Sequence, residues 1–192
     1  KRRRVRSLRS AISNCLETLE ERRLFASLAW NPQSGSNAWD HATANWIDTV
    51  TNQSAIFQDG DSVSFGNAGA GTVTIDSGGV APSSTTFAST SDYQLQGGGV
   101  GGPGALIKNG AGKLTLFQTN TYGGATQVIS GQLELISGFG SGVNPIPDSS
   151  AVTVAVGAAL NDNAFSETIG SIGGAGTVNI NGFELFAGQN GT

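Results

Sequence analysis

The chain from Val63 to Phe186 is a succession of short segments in which apolar and polar residues alternate. Runs such as KLTLF (113–117), QLELI (132–136) and AVTVAV (151–156) are three to six residues long, and Gly, Asn, Asp, Ser or Pro bounds most of them. Alternation with a period of two predicts half-buried β-strands, and the bounding residues favour turns. The sequence therefore predicts an all-β fold with many tight turns.

A longer period connects these strands. Leu95, Leu114, Leu133 and Val152 follow one another at intervals of 19 residues, and each begins or centres an apolar–polar–apolar run. A repeat of about 20 residues is typical of a solenoid in which one repeat forms one coil. We therefore predict a β-solenoid of about six coils, with these four side chains stacked in one buried column. A two-sheet β-sandwich also uses short strands, but it rarely keeps such a period.

Alternation within each strand assigns side chains to the inside and the outside of the coils. Thr115 and Glu134 are predicted to point outward. The predicted core is aliphatic and consists of Leu114, Leu116, Leu133, Leu135, Val152 and Val154. Glycine pairs are predicted at the corners, where the chain turns sharply through positive φ.

Composition supports this interpretation and excludes others. The 192 residues include 29 glycines, no methionine and only 12% charged residues. So much glycine without a Gly-X-Y period excludes collagen, and the low charge argues against disorder.

Charge divides the chain into two parts near Ala26. Residues 1–25 contain eight basic and three acidic residues, whereas the remainder has two lysines and eleven acidic residues. An acidic body with almost no lysine or arginine is not expected to bind the phosphates of nucleic acids. No apolar run approaches the 20 or so residues that a membrane-spanning helix needs.

The basic segment, residues 1–26, is predicted to be an amphipathic helix. Its apolar residues recur at intervals of three to five, close to one face: Val5, Leu8, Ile12, Leu16, Leu19 and Leu24. Within it, LETLEERRLFA resembles the LEPR-XLL segment of large exported planctomycete proteins, with Thr18 where that motif has proline. The resemblance implies a sorting or targeting role. From the residues alone, a solvated basic arm or contact with an anionic membrane surface remains open.

Residues 104–136 carry a second resemblance, which covers some 30 residues almost without a gap. The matching positions are Leu106, Lys108, Gly110, Gly112, Leu114, Leu116, Asn120, Thr121, Tyr122, Gly124, Thr126, Val128, Gly131, Leu133 and Leu135. In this pattern the segment resembles the autotransporter-associated β-strand repeat. The resemblance implies that residues 63–192 form a right-handed, single-stranded parallel β-helix of the kind used in exported passenger regions. The lysine and asparagine of KNGAGK and TNTYGG are interpreted most simply as turn residues.

Residues 27–62 contain all three tryptophans, Trp30, Trp39 and Trp46. The first coil of a solenoid exposes apolar surface and unpaired strand edges, so bulky aromatic residues suit a cap. A platform on which sugar rings stack is the alternative.

Candidate chemistry is sparse, and we assign no catalytic, cofactor-binding or metal-binding residue. His41 stands beside Asp40 without an evident nucleophile, and Cys15 lies in the basic segment. Asp59 and Asp61 flank Gly60 and are interpreted as turn residues rather than calcium ligands.

The function expected from this sequence is structural. We expect a non-enzymatic, exported or cell-surface stalk or adhesin-like passenger without a cofactor, located outside the cell. Its partners would be surface glycans, other cells or further copies of itself, and the chain is expected to continue into a longer one. The alternative is a carbohydrate-binding or pectate-lyase-like β-helix.

Overall fold

The computed structural model describes residues 25–32, 35–137, 142–164, 166–181 and 184–188. The predicted N-terminal helix lies, up to residue 24, outside the described residues. The strands of the described part are, in chain order, β1 Ser27–Trp30, β2 Ala38–Trp39, β3 Trp46–Asp48, β4 Ser54–Ala55, β5 Ser62–Phe65, β6 Gly71–Ile75, β7 Ser84–Phe87, β8 Tyr93–Gly97, β9 Leu106–Leu116, β10 Thr126–Ile136, β11 Ala151–Val154, β12 Ala159–Asn163, β13 Ser166–Ile169, β14 Ser171–Gly174, β15 Thr177–Ile180 and β16 Glu184–Ala187.

The strands wind into a β-solenoid of about six coils, as the sequence predicted. The first sheet follows the order β1, β5, β7, β9, β10, β11 and β14, and its neighbours are parallel. The second sheet follows the order β2, β6, β8, β9, β10, β12 and β15, again parallel. The long strands β9 and β10 turn a corner and take part in both sheets.

The third side of each coil is less regular. Its regular part is the parallel pairing of β13 with β16. In earlier coils it is held by single bridges and backbone hydrogen bonds, such as the parallel bridge between Val80 and Val100. Each coil therefore has two sides of continuous sheet and a third side with variable backbone.

One buried column runs through the second sheet, but its members differ from those predicted. Its buried members are Tyr93, Leu114, Leu133 and Leu160, and Val178 continues it at an exposed position. The spacing of 19 residues holds only for the step from Leu114 to Leu133. Leu95 lies in the adjacent column, because it pairs with Leu116.

The prediction for Val152 is wrong, because Val152 pairs with Thr126 on the first sheet. The coils are numbered from β5–β6, so β7–β8, β9, β10, β11–β13 and β14–β16 belong to the second to the sixth coil. The physical reason is the length of the third side in the fourth coil. Residues 137–150 connect β10 to β11, whereas the shorter segment 117–125 connects β9 to β10. A count of 19 residues from Leu133 therefore ends on the wrong side of the next coil.

The predicted core residues are nevertheless all buried: Leu114, Leu116, Leu133, Leu135, Val152 and Val154. Thr115 was predicted to point outward, yet only 1% of it is exposed. Its hydroxyl donates a hydrogen bond to Glu134 Oε2 at 3.0 Å, and Lys113 Nζ lies 2.7 Å from the same oxygen. Neighbouring polar side chains on the second sheet thus cover Thr115.

The edge of β1 that faces away from the later coils is covered by antiparallel strands. β3 pairs with β1, and β4 pairs with β3. β1 and β2 themselves pair in parallel with β5 and β6, so part of the tryptophan-rich segment already follows the path of the solenoid.

Candidate functional site

The single histidine is hydrogen-bonded to a carboxyl group on the surface. His41 Nε2 lies 2.9 Å from Asp59 Oδ1, which also accepts the Ala81 N–H at 2.8 Å. Partial burial raises the pKa of Asp59, but the hydrogen bonds from His41 and Ala81 outweigh it and lower the pKa overall. Asp40, the neighbour of His41 in sequence, instead accepts hydrogen bonds from the backbone and hydroxyl of Thr43. The pair connects the loop after β2 to the turn before β5.

Asp61 is buried and closes the same turn. Its Oδ1 accepts the Ala26 N–H and its Oδ2 accepts the Gln58 N–H, at 2.8 and 2.9 Å. Both carboxylate oxygens are therefore occupied by backbone donors.

The three tryptophans form one buried aromatic cluster around Phe65. The ring of Phe65 lies 5.3–5.5 Å from the rings of Trp30, Trp39 and Trp46, centroid to centroid. On its other side it stacks on Phe87 at 4.4 Å with an interplanar angle of 7°. The three indole rings are buried, so none of them offers an open face to a sugar ring.

Lys108 lies inside the solenoid, in the column of the first sheet that contains Phe87 and Val128. Only 2% of it is exposed. Its Nζ donates hydrogen bonds to the carbonyl oxygens of Gly110 at 2.5 Å and Ser130 at 3.1 Å. Burial lowers the pKa of Lys108, although the nearby Asp92 opposes this effect. The ammonium group therefore joins two successive coils at the corner between the sheets.

Asn120 joins three coils at the third side. Its Oδ1 accepts the Val100 N–H of the preceding coil at 2.8 Å. Its Nδ2 donates to the Pro145 carbonyl of the following coil, also at 2.8 Å. Asn120 is buried, so water does not compete with its side chain for these two backbone groups.

Tyr122 begins a buried chain of hydroxyl groups. Its Oη lies 2.7 Å from Thr126 Oγ1, which lies 2.9 Å from Ser150 Oγ. The Ser150 hydroxyl also lies within hydrogen-bonding distance, 3.1 Å, of the Gly124 carbonyl. Burial raises the pKa of Tyr122 well above its ordinary value, so the phenol stays neutral.

Two adjacent shallow depressions lie on the outside of the first three coils, and Ser77 lines both. Their volumes are about 510 and 420 Å³. Asp40 and Asp76 line the first, Asp59 lines the second, and glycines contribute to the lining of both. The side chains that line them include hydrogen-bond acceptors and hydroxyls but no basic group.

Two kinds of feature are absent from the described residues. They contain no group of three or more His, Cys, Asp or Glu side chains placed to hold a metal ion. They also contain no helix whose length and apolarity would allow it to cross a membrane.

Comparison with known families identifies the segment that contains Lys108, Asn120 and Tyr122. The family model of the passenger-associated-transport-repeat matches residues 106–135. The match covers 30 of the 192 residues and shows that this segment is similar to that repeat. No curated protein and no solved structure gives a significant match to the chain. The LEPR-XLL resemblance of residues 1–26 stays a prediction.

The structure explains why the repeat alternates glycine with other residues at its corners. A Cβ on Gly110 would lie 2.2 Å from the Ser89 carbonyl oxygen of the preceding coil. Gly131 has φ of +72°, and a Cβ there would lie 2.3 Å from the Gly110 carbonyl oxygen. The repeat therefore needs glycine where successive coils approach most closely.

Sequence reasoning missed the inward position of the polar residues of the repeat. Lys108 and Asn120 were interpreted as turn residues, yet both are buried and bonded to neighbouring coils. A signal was present for Lys108. In the run LIK (106–108), the period of two that places Leu106 inside also places Lys108 inside.

Replacement of Lys108 by alanine is expected to lower the free energy of unfolding by about 2 kcal/mol, measured by urea denaturation. The packing of the side-chain stem and two hydrogen bonds are lost, while removal of a buried charge offsets part of the cost. Lys113→Ala is the matched control. Its partner Glu134 lies near the surface, so we expect a loss of about 1 kcal/mol or less. Equal losses for the two variants would contradict the structural role of Lys108.

Proposed function

We propose that the chain is part of an exported, passenger-like protein in which the solenoid serves as a structural stalk or adhesin-like surface. The observation that carries this proposal is the orientation of the polar residues of the repeat. Lys108, Asn120 and Tyr122 point into the coils and bond to backbone or side chains of the coils themselves. The repeat thus specifies cohesion between coils, which is what an elongated scaffold requires.

The proposed role includes no catalysis. The passenger-associated-transport-repeat family is a structural one, and nothing in its known role is enzymatic. The histidine that invited a catalytic interpretation is engaged with Asp59. Any binding to glycans, other cells or further copies would be spread over the outer faces of the sheets, where polar side chains such as Asn161 and Asn179 form rows along the axis.

Three finer features belong to the same proposal. Residues 1–26 act as the sorting segment, residues 27–62 as the N-terminal cap, and residues 63–192 as the solenoid. The burial of the tryptophans and the antiparallel cover on β1 support the cap. The solenoid is right-handed, because a connection between parallel strands of one sheet is right-handed in almost all proteins.

Surface labelling of intact cells tests this proposal. Antibodies against the solenoid should label living cells of the source organism, and protease added outside the cells should remove the label. An intracellular protein, detected in the same samples, controls for lysis. Labelling that requires permeabilised cells would contradict export.

A glycan array and a polysaccharide-degradation assay with the full chain test the alternative. A stalk should show no turnover of any polysaccharide. Depolymerisation that scales with protein concentration would overturn the structural role, and its loss in a His41→Ala variant would place the activity at His41.

A further inference from the structure

Two carboxyl groups are buried in the lumen of the fifth coil. Asp162 is on β12 and Glu167 is on β13, on either side of the corner at Ala164. Their exposed fractions are 0% and 1%. Asp162 aligns with the buried Leu135 of the preceding coil, so its side chain occupies a position that is apolar one coil earlier.

Each carboxyl group is only half satisfied. Asp162 Oδ1 accepts the Ala164 N–H at 2.9 Å, and Glu167 Oε1 accepts the Ile146 N–H at 2.8 Å. Asp162 Oδ2 and Glu167 Oε2 are buried without a hydrogen-bond partner. A buried, ionised carboxylate with a single donor is strongly disfavoured, and two of them in one lumen are more so.

Nearby negative charges further disfavour the state in which both carboxyl groups are ionised. Asp148, in the connection before β11, and Asp162 both act on Glu167 with negative charge. The phenol of Tyr122 is also within electrostatic reach of Glu167. Glu184 follows on β16, where it is exposed, and the facing positions of β10 and β15 are the apolar Leu135 and Ile180.

Neither lysine of the described residues compensates these charges. Lys108 is bonded to carbonyl groups of the third and fourth coils, and Lys113 is paired with Glu134. The negative charge of the two carboxyl groups must therefore be neutralised by a proton or by a bound cation. For a cation, the two side chains offer only two free ligand atoms, Asp162 Oδ2 and Glu167 Oε2.

We propose that Asp162 and Glu167 form a proton-binding site that keeps the fifth and sixth coils closed, and that loss of the proton in mildly alkaline solution loosens these coils. One proton on the pair removes one buried charge. On Glu167 the proton leaves Oε2 as an uncharged hydroxyl, whose lack of a hydrogen-bond partner costs far less than that of an ionised carboxylate. Glu167 then holds the Ile146 N–H of the fourth coil without the cost of a buried anion.

The direction of the pH dependence follows from the protonation equilibrium. Burial raises the pKa of Glu167 from 4.5 to about 8, the Ile146 N–H opposes this, and the charges on Asp162 and Asp148 add to it. Burial also raises the pKa of Asp162, against the Ala164 N–H. A folded-state pKa above the unfolded value means that the folded state binds more protons. The contribution of this proton to stability is therefore fully present below about pH 4.5, falls as the pH rises towards 8, and is lost above it.

Amide hydrogen exchange of the full chain between pH 5 and pH 9 tests the proposal. After correction for the intrinsic pH dependence of exchange, protection of the amides in β13 and β16 should fall about tenfold per pH unit between pH 6 and pH 8. Protection in β6 and β8, close to the aromatic cluster, should change far less. A uniform pH response in all coils would overturn the proposal.

Glu167→Gln and Asp148→Asn are the paired variants. Glutamine has a neutral donor at the same place, so Glu167→Gln should abolish the pH response, whereas Asp148→Asn, at an exposed position, should keep most of it. If Glu167→Gln retained the wild-type slope, the proposal would be wrong. Because Glu167→Gln could fail to fold, a carbon-13 NMR titration of the Glu167 carboxyl in the wild-type chain gives an independent readout. A midpoint near 4.5 would overturn the proposal.

A comparison of calcium with EDTA distinguishes proton binding from metal binding at this site. Protection in β13 at pH 9 should be the same with 1 mM calcium chloride as with 1 mM EDTA. Recovery of protection by calcium in the wild type, but not in Glu167→Gln, would show a cation site and overturn the proton-binding role.

Discussion

Replacement of Phe65 by alanine is expected to lower the free energy of unfolding by about 3–5 kcal/mol, the range for a large aromatic residue removed from a packed core. Phe65 is at the centre of the aromatic cluster, where it contacts the three tryptophans and stacks on Phe87. The loss combines buried apolar area with several ring–ring contacts that no neighbouring side chain can replace. Urea denaturation followed by tryptophan fluorescence measures it, because all three indoles are in this cluster.

Phe117→Ala is the matched control, since it removes the same side chain from a position that is 38% exposed. We expect it to cost about 1 kcal/mol or less, because Phe117 buries less of its ring. Phe65→Leu should fall between the two. If Phe65→Ala and Phe117→Ala had the same denaturation midpoint, the aromatic cluster would not be the stabilising centre of the first coils.

Replacement of Asn120 by alanine is expected to cost about 2–4 kcal/mol, because it leaves two buried backbone groups without partners. These are the Val100 N–H of the second coil and the Pro145 carbonyl of the fourth coil. Asn120→Asp should also destabilise the protein, since a carboxylate cannot donate to the Pro145 carbonyl. Thermal and urea denaturation measure the loss, and hydrogen exchange at Val100 and Gly101 shows whether it is local.

Asn179→Ala provides the comparison for Asn120. Asn179 is exposed and donates one hydrogen bond, to Asn161 Oδ1 at 2.8 Å. Water replaces this bond at the surface, so we expect a change within about 0.5 kcal/mol. A similar cost for the two asparagines would mean that the inward position of Asn120 has no energetic importance.

The class of fold was predictable from the sequence because one physical rule dominates it. A strand with one face towards the core and the other towards solvent buries every second side chain. The alternation in KLTLF and QLELI therefore places Leu114, Leu116, Leu133 and Leu135 inside, where the structure has them. The turn residues between such runs indicated that each repeat forms one coil.

The register and the polar interior were not predictable in the same way. The position of Val152 depends on the length of residues 137–150, and loop length has no periodic signature. Asp162 and Glu167 occupy inward positions that the alternation in LND (160–162) and ETI (167–169) does indicate. The general rule that charged residues lie outside outweighed that local signal.

The three sides of a coil differ in how much their length can vary, and this has a consequence for the evolution of the protein. Two sides are locked by continuous hydrogen-bonded ladders, whereas the third tolerates connections as different as residues 117–125 and 137–150. Insertions that would break the ladders elsewhere can enter there without moving any neighbour. We therefore expect differences in length between relatives to concentrate on this flank of the solenoid, while the two sheet sides keep their length.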